Sequence, residues 1–358
     1  MVPTITYQGR VWTYEQIKSG SEGQLPAALL FCRSWLRGEN MFSLHTSGST
    51  GTPKAITVTR GQMEASAKMT GRFFGFSSGK PLFMALAPEY IAGKMLLTRA
   101  MVHGLSVHII TPYSTPFSSL EKTQHYLTTS LVPYQVQAML ETDEYISRFH
   151  QFEHILIGGG PISPALEKTI NKKLSVPVWH TYGMTETLSH VAVRLVNTAQ
   201  AHPYYQPLPG IQLKKEDDHC LSIKGEVTRD KWLKTNDVVQ LNNDHTFSWK
   251  GRKDNTINSG GIKVQAEEIE KIIQPLMSEL LPDDGFFMIT GAPHPQLGEE
   301  VVLVVSSPTD QHMLLEQLKR LLPQYHCPRR VIYLASFPLT ASGKIRRNDV
   351  KAQIYRAR

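Results

Sequence analysis

Between residues 55 and 195, short apolar runs alternate with segments of helical pattern, and this alternation constrains the fold more than any other feature. The apolar runs lie at 82–87, 105–110, 155–158 and 176–179, and the helical segments lie at 61–74, 92–102 and 164–174. Strands separated by helices are typical of βαβ units with a largely parallel sheet. Such sheets bind ligands at the carboxyl ends of their strands. We therefore expect an α/β fold in which polar segments that follow strands line a cleft.

A loop rich in hydroxyl groups joins two further apolar runs, at 41–44 and 56–58. It spans residues 46–54 with the sequence Thr-Ser-Gly-Ser-Thr-Gly-Thr-Pro-Lys. Glycine lets the backbone approach a ligand closely, and successive N–H groups form anion-binding concavities. The loop is not a Walker A motif, because Lys54 follows a proline and no Ser or Thr comes next. It predicts a polyphosphate site between two strands, with a flexible linker as the alternative.

The character of the sequence changes after about residue 205, where Gly, Asn and Asp become frequent and strands become shorter. A domain boundary is expected near residues 252–254, with a large domain over 1–252 and a small α+β domain over 253–358. Leucines at helical spacing mark one helix of the small domain and are expected to be core, namely Leu314, Leu315, Leu318, Leu321 and Leu322. The expected strands of this domain lie at 286–290, 301–306 and 331–335.

Composition limits the classes of partner that the protein is expected to bind. No apolar stretch of about 20 residues exists, so neither a transmembrane helix nor a membrane partner is expected. The three cysteines are far apart and odd in number, which fits reduced thiols in a cytoplasmic protein better than disulfides or a zinc site. The net charge of +7 would suit nucleic acid, or a polyanion such as ATP or coenzyme A, or solubility alone. Because the basic residues are scattered without a long block, we expect no nucleic-acid partner.

Three later segments also carry candidate chemistry. In residues 181–187, Glu186 lies beside hydroxyl groups and could hold Mg²⁺, although a strand-to-helix turn capped by Thr185 or Thr187 is the alternative. Residues 251–264 contain a Gly-Gly pair that is also typical of a polar linker. In residues 338–347, Lys344 follows a glycine and could act as a mobile cation, or be one more surface lysine.

Together with the loop at 46–54, these segments resemble the adenylate-forming enzymes, which include acyl- and aryl-CoA ligases, adenylation domains of peptide synthetases and luciferases. The four motifs occur in the family's order and approximate spacing, from about residue 42 to the end. Within the family, residues 87–95 and 185–190 look like those of the o-succinylbenzoate–CoA ligases of menaquinone synthesis. The resemblance implies a large domain of mostly parallel sheets and a small C-terminal domain that rotates on a hinge.

The resemblance also implies a first half-reaction, in which a substrate carboxylate attacks the α-phosphate of ATP and releases pyrophosphate. Glu186 would hold Mg²⁺, Thr185 would contact the α-phosphate, and Lys344 would bridge substrate and phosphate oxygens. The residues implied to hold the β- and γ-phosphates are Thr46, Ser47, Gly48, Ser49, Thr50, Gly51 and Lys54. Those implied to surround the adenosine are Gly158, Gly159, Gly160, Tyr182, Asp237 and Arg252.

The implied second half-reaction is attack by the thiol of coenzyme A on the acyl adenylate. The small domain would rotate about Asp254 between the two steps and withdraw Lys344. The rotation would bring Ser259, Gly260 and Gly261 to the active site, where small residues let the pantetheine arm pass. A carrier protein in place of free coenzyme A, and a non-catalytic ATP-binding relative, are the alternatives.

The acyl pocket is expected near Tyr90 and Gly93 and in the segment after Glu186. An o-succinylbenzoate ligand would bring a second carboxylate, which must meet a cation or donor when buried. The candidates for this contact are Lys94, Ser189, His190 and Arg194. Alternatively, Arg194 pairs with an acid and His190 is a structural histidine.

The sequence departs from the family pattern in two places. Asn236 stands where the family usually has glycine, and asparagine tolerates left-handed backbone better than most residues. The phosphate loop begins at Thr46, earlier in the chain than is usual for the family. We therefore expect a large domain that is shortened at its N-terminus, without most of one subdomain.

Overall fold

The computed structural model describes residues 2–45, 55–76, 79–282, 285–339 and 345–356. The phosphate loop at 46–54 and Lys344 lie outside the described residues. The helices are α1 (Tyr14–Ser19), α2 (Ala27–Leu36), α3 (Arg60–Phe74), α4 (Ile91–His103), α5 (Pro133–Leu140), α6 (Asp143–Arg148), α7 (Pro164–Lys173), α8 (Ala266–Leu280), α9 (Gln311–Leu321) and α10 (Arg347–Arg356). Short 3₁₀ helices lie at Pro116–Ser119, Phe149–Gln151, Thr185–Thr187, Glu226–Thr228, Lys253–Asn255 and Gln324–His326.

The strands of the first two thirds of the chain are β1 (Thr4–Tyr7), β2 (Arg10–Thr13), β3 (Met41–His45), β4 (Ala55–Thr59), β5 (Leu82–Met84), β6 (Val107–Ile109), β7 (Tyr126–Leu131), β8 (Phe152–Ile157), β9 (Val178–Gly183), β10 (His190–Leu195) and β11 (Gln206–Pro207). The remaining strands are β12 (Gln212–Lys215), β13 (Cys220–Lys224), β14 (Leu233–Leu241), β15 (Phe247–Arg252), β16 (Thr256–Ser259), β17 (Ile262–Gln265), β18 (Phe287–His294), β19 (Gly298–Val305) and β20 (Arg330–Tyr333).

The largest sheet has nine strands in the order β11-β10-β9-β8-β7-β5-β6-β1-β2. The central run from β9 to β1 is parallel throughout, and the strands at both ends pair antiparallel. This arrangement confirms the expected α/β fold with a largely parallel sheet. It also places the segments that follow β8 and β9 at the same edge, since both strands end there.

Helices cover the sheet on both faces, because its strands are apolar on both sides. Leu82 and Met84 of β5 pack with α3 and α4, whereas Phe83 between them packs with α5 and α7 on the opposite face. The Phe83 side is rich in aromatic rings, and Phe117 and Phe152 stack there with centroids 4.9 Å apart. A sheet buried on both faces requires apolar side chains at consecutive positions, which explains why these strands appear in the sequence as unbroken apolar runs.

Three smaller sheets complete the fold. β3 and β4 pair antiparallel, as expected for the two apolar runs that flank residues 46–54. A capping box at Thr59 and Gln62 then begins α3 directly after β4. β12 to β15 form a four-stranded antiparallel sheet, in which the turn at 242–244 joins β14 to β15.

The C-terminal region forms a separate, smaller sheet in the order β17-β16-β19-β18, with β20 beside β19. α8 and α9 pack on one face of it and α10 packs on the other. Leu314, Leu318 and Leu322 are buried as expected. The expectation was wrong for Leu321, which is 48% exposed, because it ends α9 where the chain turns away towards Pro323.

Among the described residues, no helix is long and apolar enough to span a bilayer.

One buried side chain ties the end of β10 to the start of β9. Asn197 is 1% exposed and accepts a hydrogen bond from the Val178 N–H at 2.9 Å. Its amide donates to the carbonyl groups of Leu174 and Val176, each at 2.9 Å. Three backbone groups of the chain that enters β9 therefore depend on one side chain.

We expect Asn197→Ala to lower the free energy of unfolding by about 3 kcal/mol, because these buried backbone groups would lose their partners. Denaturant unfolding followed by tryptophan fluorescence measures this difference. Asn243→Ala, in an exposed turn, is the matched control and should stay within about 0.5 kcal/mol of the parent. Equal losses in the two variants would contradict the assignment.

Candidate functional site

Three glycines follow β8 at the edge where its carboxyl end lies. A Cβ atom on Gly158 would lie 2.5 Å from the Thr181 Oγ1, and Gly159 has a φ of +79° that favours glycine. The Gly158 N–H donates to the Leu131 carbonyl at 3.0 Å. The loop is therefore pressed against β9, the next strand, and its small residues leave room for a flat ligand.

His180 of β9 lies behind this glycine loop. Its Nε2 is 3.0 Å from the Gly160 carbonyl oxygen, and its Nδ1 is 2.7 Å from the Tyr205 hydroxyl. Burial, together with the charge of Arg194, lowers the pKa of His180 to about 4. Arg194 forms two hydrogen bonds of 2.8 Å with Glu167 of α7. This pairing favours the alternative in which Arg194 pairs with an acid over the expected contact with the acyl substrate.

A second group of polar residues faces the same edge. The Tyr182 hydroxyl donates to Asp237 Oδ2 at 2.6 Å, and Arg252 Nη1 lies 3.7 Å from Asp237 Oδ1. Burial and the neighbouring Asp237 carboxylate raise the pKa of Tyr182 well above its usual value, so the hydroxyl remains a donor. Asn236 donates to Asp254 Oδ2 at 3.2 Å, and Arg252 reaches the same oxygen at 3.4 Å. Asp237 keeps free acceptor positions, because a carboxylate accepts about four hydrogen bonds.

The turn between β9 and β10 holds Thr185 and Glu186. Buried Thr187 closes the turn, because its hydroxyl accepts from the Met184 N–H and donates to the Ser189 carbonyl. The sequence allowed either Thr185 or Thr187 to cap this turn. In the structure Thr187 has that role. Glu186 is exposed and makes no ion pair within the described part of the chain.

A magnesium ion fits this position. No cluster of three or more His, Cys, Asp or Glu occurs among the described residues, so no site built from protein ligands alone is present there. Mg²⁺ usually takes one or two carboxylates and completes its shell with water and phosphate oxygens. The single free carboxylate of Glu186 suits that coordination.

Two of the three expected acyl residues at the start of α4 make packing contacts, and the third is exposed. Tyr90 precedes the helix and is 65% exposed. A Cβ atom on Gly93 would lie 2.4 Å from the Ala87 carbonyl oxygen, so the close approach of two backbone segments requires glycine there. Lys94 donates to the Ser43 carbonyl of β3 at 3.3 Å, and burial lowers its pKa. These contacts hold α4 against the strand that leads into the phosphate loop.

Ser189 and His190 belong to a buried chain of hydrogen bonds. His190 Nε2 lies 3.1 Å from Thr70 Oγ1, and the Thr70 hydroxyl donates to the Ser66 carbonyl at 3.1 Å. His190 Nδ1 lies 3.3 Å from the Ser189 hydroxyl, which accepts from Arg99 Nη2 at 2.5 Å. Burial and the nearby Arg99 charge lower the pKa of His190 well below its usual value.

Arg99 begins this chain and was not predicted as a site residue. The residue is 4% exposed, and its buried Nε has no hydrogen-bond partner in the described part of the chain. Burial lowers its pKa to about 10, and no described carboxylate pairs with it. The signal for it was a basic residue in a turn of α4 that also contains Leu96, Leu97 and Ala100.

The glycines expected near coenzyme A form a tight turn. Gly260 and Gly261 join β16 to β17 with φ values of +60° and +86°, and Ser259 pairs with Ile262 across the turn. Two consecutive residues with positive φ define the hairpin turn that matches the twist of its strands. The Gly260 N–H donates to the Leu297 carbonyl at 2.9 Å, so the turn rests on the C-terminal sheet.

The described residues on both sides of Lys344 are firmly held. Leu339 and Ile345 form an antiparallel bridge, and the Arg346 N–H donates to the Pro338 carbonyl at 2.8 Å. Arg347 then forms an ion pair with Glu270 of α8.

Comparison with known proteins shows which family this chain belongs to. The profile of the AMP-binding enzymes matches residues 21–228, more than half of the chain. This chain belongs to the AMP-binding enzyme family. The resemblance drawn from its motifs is thereby confirmed.

Relatives within the AMP-binding family agree with this assignment. The chain is 28% identical to the 2-succinylbenzoate–CoA ligase of Enterococcus faecalis over 333 residues, which cover 84% of this chain and 67% of that protein. The acyl-CoA synthetase (AMP-forming)/AMP-acid ligase II-like protein of Dyadobacter fermentans has a TM-score of 0.64 and 34% identity, covering 95% of this chain and 97% of that one. The o-succinylbenzoate coenzyme A synthetase (MenE) of Bacillus subtilis, solved with ATP and a magnesium ion, shares the fold with a TM-score of 0.72 and 24% identity, covering 86% and 69%.

We expect the free energy of unfolding of this AMP-binding protein to fall as pH is lowered from about 6.5 towards about 4. The unfolded chain binds protons on His180 and His190 in this range, whereas the folded chain keeps both imidazoles neutral. Unfolding measured at several pH values should show that His180→Gln removes part of this slope, by up to about 3 kcal/mol. His125→Gln, at an exposed histidine, is the control, and an unchanged slope in His180→Gln would contradict the assignment.

Proposed function

We propose that this protein is an ATP-dependent ligase that adenylates a carboxylic acid and transfers the acyl group to coenzyme A, with o-succinylbenzoate as the acid. One observation carries the proposal: the β9–β10 hairpin joins three kinds of polar group. Tyr182 on β9 holds Asp237, the turn presents Thr185 and Glu186, and Ser189 before β10 contacts buried Arg99. A nucleoside, a phosphate group and a distant carboxylate therefore find partners in that order along one hairpin.

ATP would lie with its adenosine at the β9 side of the hairpin. The three glycines after β8 would accept the flat adenine ring, and Asp237 would accept hydrogen bonds from the ribose hydroxyls. Tyr182 and Arg252 hold the Asp237 carboxylate in place for this contact. The β- and γ-phosphates would lie at residues 46–54, as the family resemblance implies.

Glu186 would hold Mg²⁺ beside the phosphates. When bound, the ion supplies positive charge that neutralises charge on the phosphate oxygens. Thr185, the neighbouring residue, would direct its hydroxyl to the α-phosphate. Glu186 is exposed and pairs with no described cation, which supports this role.

Arg99 supports o-succinylbenzoate as the acid. Among the described residues, this buried guanidinium has an unpaired N–H and no carboxylate partner, which favours an anionic ligand because charged groups are costly to bury unpaired. The second carboxylate of o-succinylbenzoate would supply that partner, with the Ser189 hydroxyl as a further contact. The relative from Enterococcus faecalis is named for the same acid.

In the first step, an oxygen of the reacting carboxylate attacks the α-phosphorus, and the bond from that phosphorus to the bridging oxygen of pyrophosphate breaks. Lys344 would stabilise the negative charge that builds on the α-phosphate oxygens, since a preorganised cation is strongly stabilising in a site with little water. In the second step, the thiol sulfur of coenzyme A attacks the acyl carbon. The bond to AMP then breaks, and the thiol gives up its proton.

Between the two steps, the domain over 253–358 would rotate against the domain over 1–252. Asp254 would be the hinge residue, and its carboxylate contacts Asn236 and Arg252 in the present arrangement. Rotation would break these exposed contacts at little cost. The glycine turn after Ser259 would then line the path of the pantetheine arm.

The function is tested by pyrophosphate exchange with a panel of aromatic and aliphatic acids, followed by mass spectrometry of coenzyme A thioesters. We expect exchange with o-succinylbenzoate and a thioester as the product. Exchange without a thioester would indicate a carrier protein as the acceptor. The absence of exchange with every acid would contradict the enzyme assignment.

We expect Arg99→Met to lower kcat/KM for o-succinylbenzoate by about 100-fold, because a charged hydrogen bond to the second carboxylate is lost. Benzoate, which has one carboxylate, should change by less than about threefold. The same variant should raise the free energy of unfolding by about 1–3 kcal/mol, since it removes a buried unpaired charge.

Arg148→Met is the matched control for Arg99→Met, since Arg148 lies at the end of α6 and its guanidinium donates to the Leu120 carbonyl at 3.1 Å. Equal losses for both acids, or a loss of stability in Arg99→Met, would contradict the assigned carboxylate contact.

We expect Lys344→Ala to lower pyrophosphate exchange by about 100-fold or more, because the charge that develops at the α-phosphate loses its cation. Thioester formation from supplied acyl adenylate should change little, since Lys344 is withdrawn in that step. Lys319→Ala, whose lysine pairs with Glu316 on the surface of α9, is the control. An equal loss in both half-reactions would rule out rotation between two arrangements.

A further inference from the structure

The Gly160 carbonyl is the final acceptor of a chain of hydrogen bonds, and the donor of each bond in this chain can be identified. A carbonyl oxygen can only accept, so His180 Nε2 must donate to it across the 3.0 Å contact. His180 is 8% exposed and its imidazole is neutral, so Nδ1 is the acceptor of the 2.7 Å bond from the Tyr205 hydroxyl. The chain therefore runs from Tyr205 through His180 to Gly160. The charge of Arg194 acts on both Tyr205 and His180, and two bonds of 2.8 Å join Arg194 to Glu167 of α7.

This chain of hydrogen bonds anchors the Gly160 end of the glycine loop. The Gly158 N–H is bonded to the Leu131 carbonyl, and the Gly160 carbonyl is bonded to His180. Pro161, the next residue, has no N–H that could add a backbone bond. Glycine loses more conformational freedom on ordering than other residues, so a loop of three glycines needs such anchors to keep one conformation.

Tyr205 also reaches the ribose side of the site. Its ring stacks on Phe247 with centroids 5.3 Å apart and planes inclined by 23°. The edge of Phe247 meets Tyr182 at 5.0 Å, and Tyr182 donates to Asp237. One side chain therefore contacts the supports of both the glycine loop and the ribose carboxylate.

We propose that His180, oriented by Tyr205, is a positioning residue that holds the 158–160 loop in the conformation that accepts the adenine ring. The proposal rests on the proposed function, because it takes ATP as the ligand of the loop. His180 itself does not touch the nucleotide. It acts through the Gly160 carbonyl, so its loss weakens nucleotide binding while the carboxylic acid and the chemical step are little affected.

Two substitutions at His180 separate this role from general packing. Glutamine places its amide near the position of Nε2 and can still donate to Gly160, whereas asparagine places its amide near Nδ1 and cannot reach it. We expect His180→Asn to raise the Kd for ATP by about tenfold, as for the loss of one hydrogen bond, and His180→Gln by no more than about threefold. Kd is measured by equilibrium dialysis with ATP and Mg²⁺, and melting temperatures are recorded alongside.

In pyrophosphate exchange, His180→Asn should raise KM for ATP by a similar factor and leave KM for o-succinylbenzoate and kcat within about threefold. A merely structural histidine would lower the melting temperature and disturb both KM values together in either variant. That result, or equal Kd values for ATP in the parent and His180→Asn, would overturn the proposal.

A matched pair of tyrosine variants tests the orienting role of Tyr205. His108 Nδ1 and the Tyr126 hydroxyl lie 3.0 Å apart in the same sheet, and Tyr126 begins β7 at the opposite edge from the glycine loop. Tyr205→Phe and Tyr126→Phe each remove one hydroxyl from a histidine and keep the ring. We expect Tyr205→Phe alone to raise the Kd for ATP, by about threefold to tenfold. Equal effects in the two variants would contradict the role of Tyr205.

The dialysis experiment also keeps the two proposals distinguishable. A parent protein that binds ATP but supports no exchange with any acid contradicts the ligase function, and the variants still decide the role of His180. A parent protein that binds no ATP overturns both proposals.

Discussion

The candidate site depends on the close approach of two backbones at Gly183. A Cβ atom on this residue would lie 2.2 Å from the Ser189 carbonyl oxygen and 2.6 Å from the His190 Cα. Glycine therefore lets β10 fold back directly on β9, with Gly183 paired to His190. The tight hairpin brings Tyr182 and Ser189 to one place, so a nucleoside and an acid can meet across its turn. A larger residue at 183 would force the strands apart and separate these two ends of the site.

Two buried hydrogen-bond chains lie on either side of this hairpin, and they differ in their charge balance. One chain runs from Tyr205 through His180 to a backbone carbonyl, and Glu167 neutralises the charge of Arg194, which acts on both side chains. The other chain starts at Arg99, whose charge has no carboxylate partner among the described residues. A hydrogen-bond chain whose arginine charge is already neutralised by a carboxylate needs no ligand, so it suits a supporting role. The charge of Arg99 would be neutralised by an anionic ligand, which is why we assign Arg99 to the substrate.

An ion pair links α8 to α10 across the C-terminal sheet. Glu270 accepts a hydrogen bond from the Ile289 N–H at 2.8 Å, and its partner Arg347 begins α10. Removing one partner of this partly buried pair would leave the other charge uncompensated. Arg347 is three residues from Lys344 in the sequence, and the ion pair joins the start of α10 to α8.

Much of the fold could be predicted from the sequence, because strand and helix periodicity are local properties. The alternating pattern and the hairpin around residues 46–54 were predicted. β7 was not, since buried Thr128 and Thr129 interrupt its apolar pattern although they lie inside the sheet. The partners of Arg99 and His180 were not predicted either, because neither residue carries a local sign of the distant side chain that it contacts.

The sequence by itself determined the family, the order of the motifs and the chemical types available to the site. Only the tertiary structure decided which side chains meet. Arg99 and Ser189 are 90 positions apart, and His180 and Tyr205 are 25 positions apart. The physical reason is strand register: shifting a strand by one residue would turn every side chain to the opposite face. Long-range pairing of β9 with β8 and β10, which no short window of sequence encodes, therefore places these residues together.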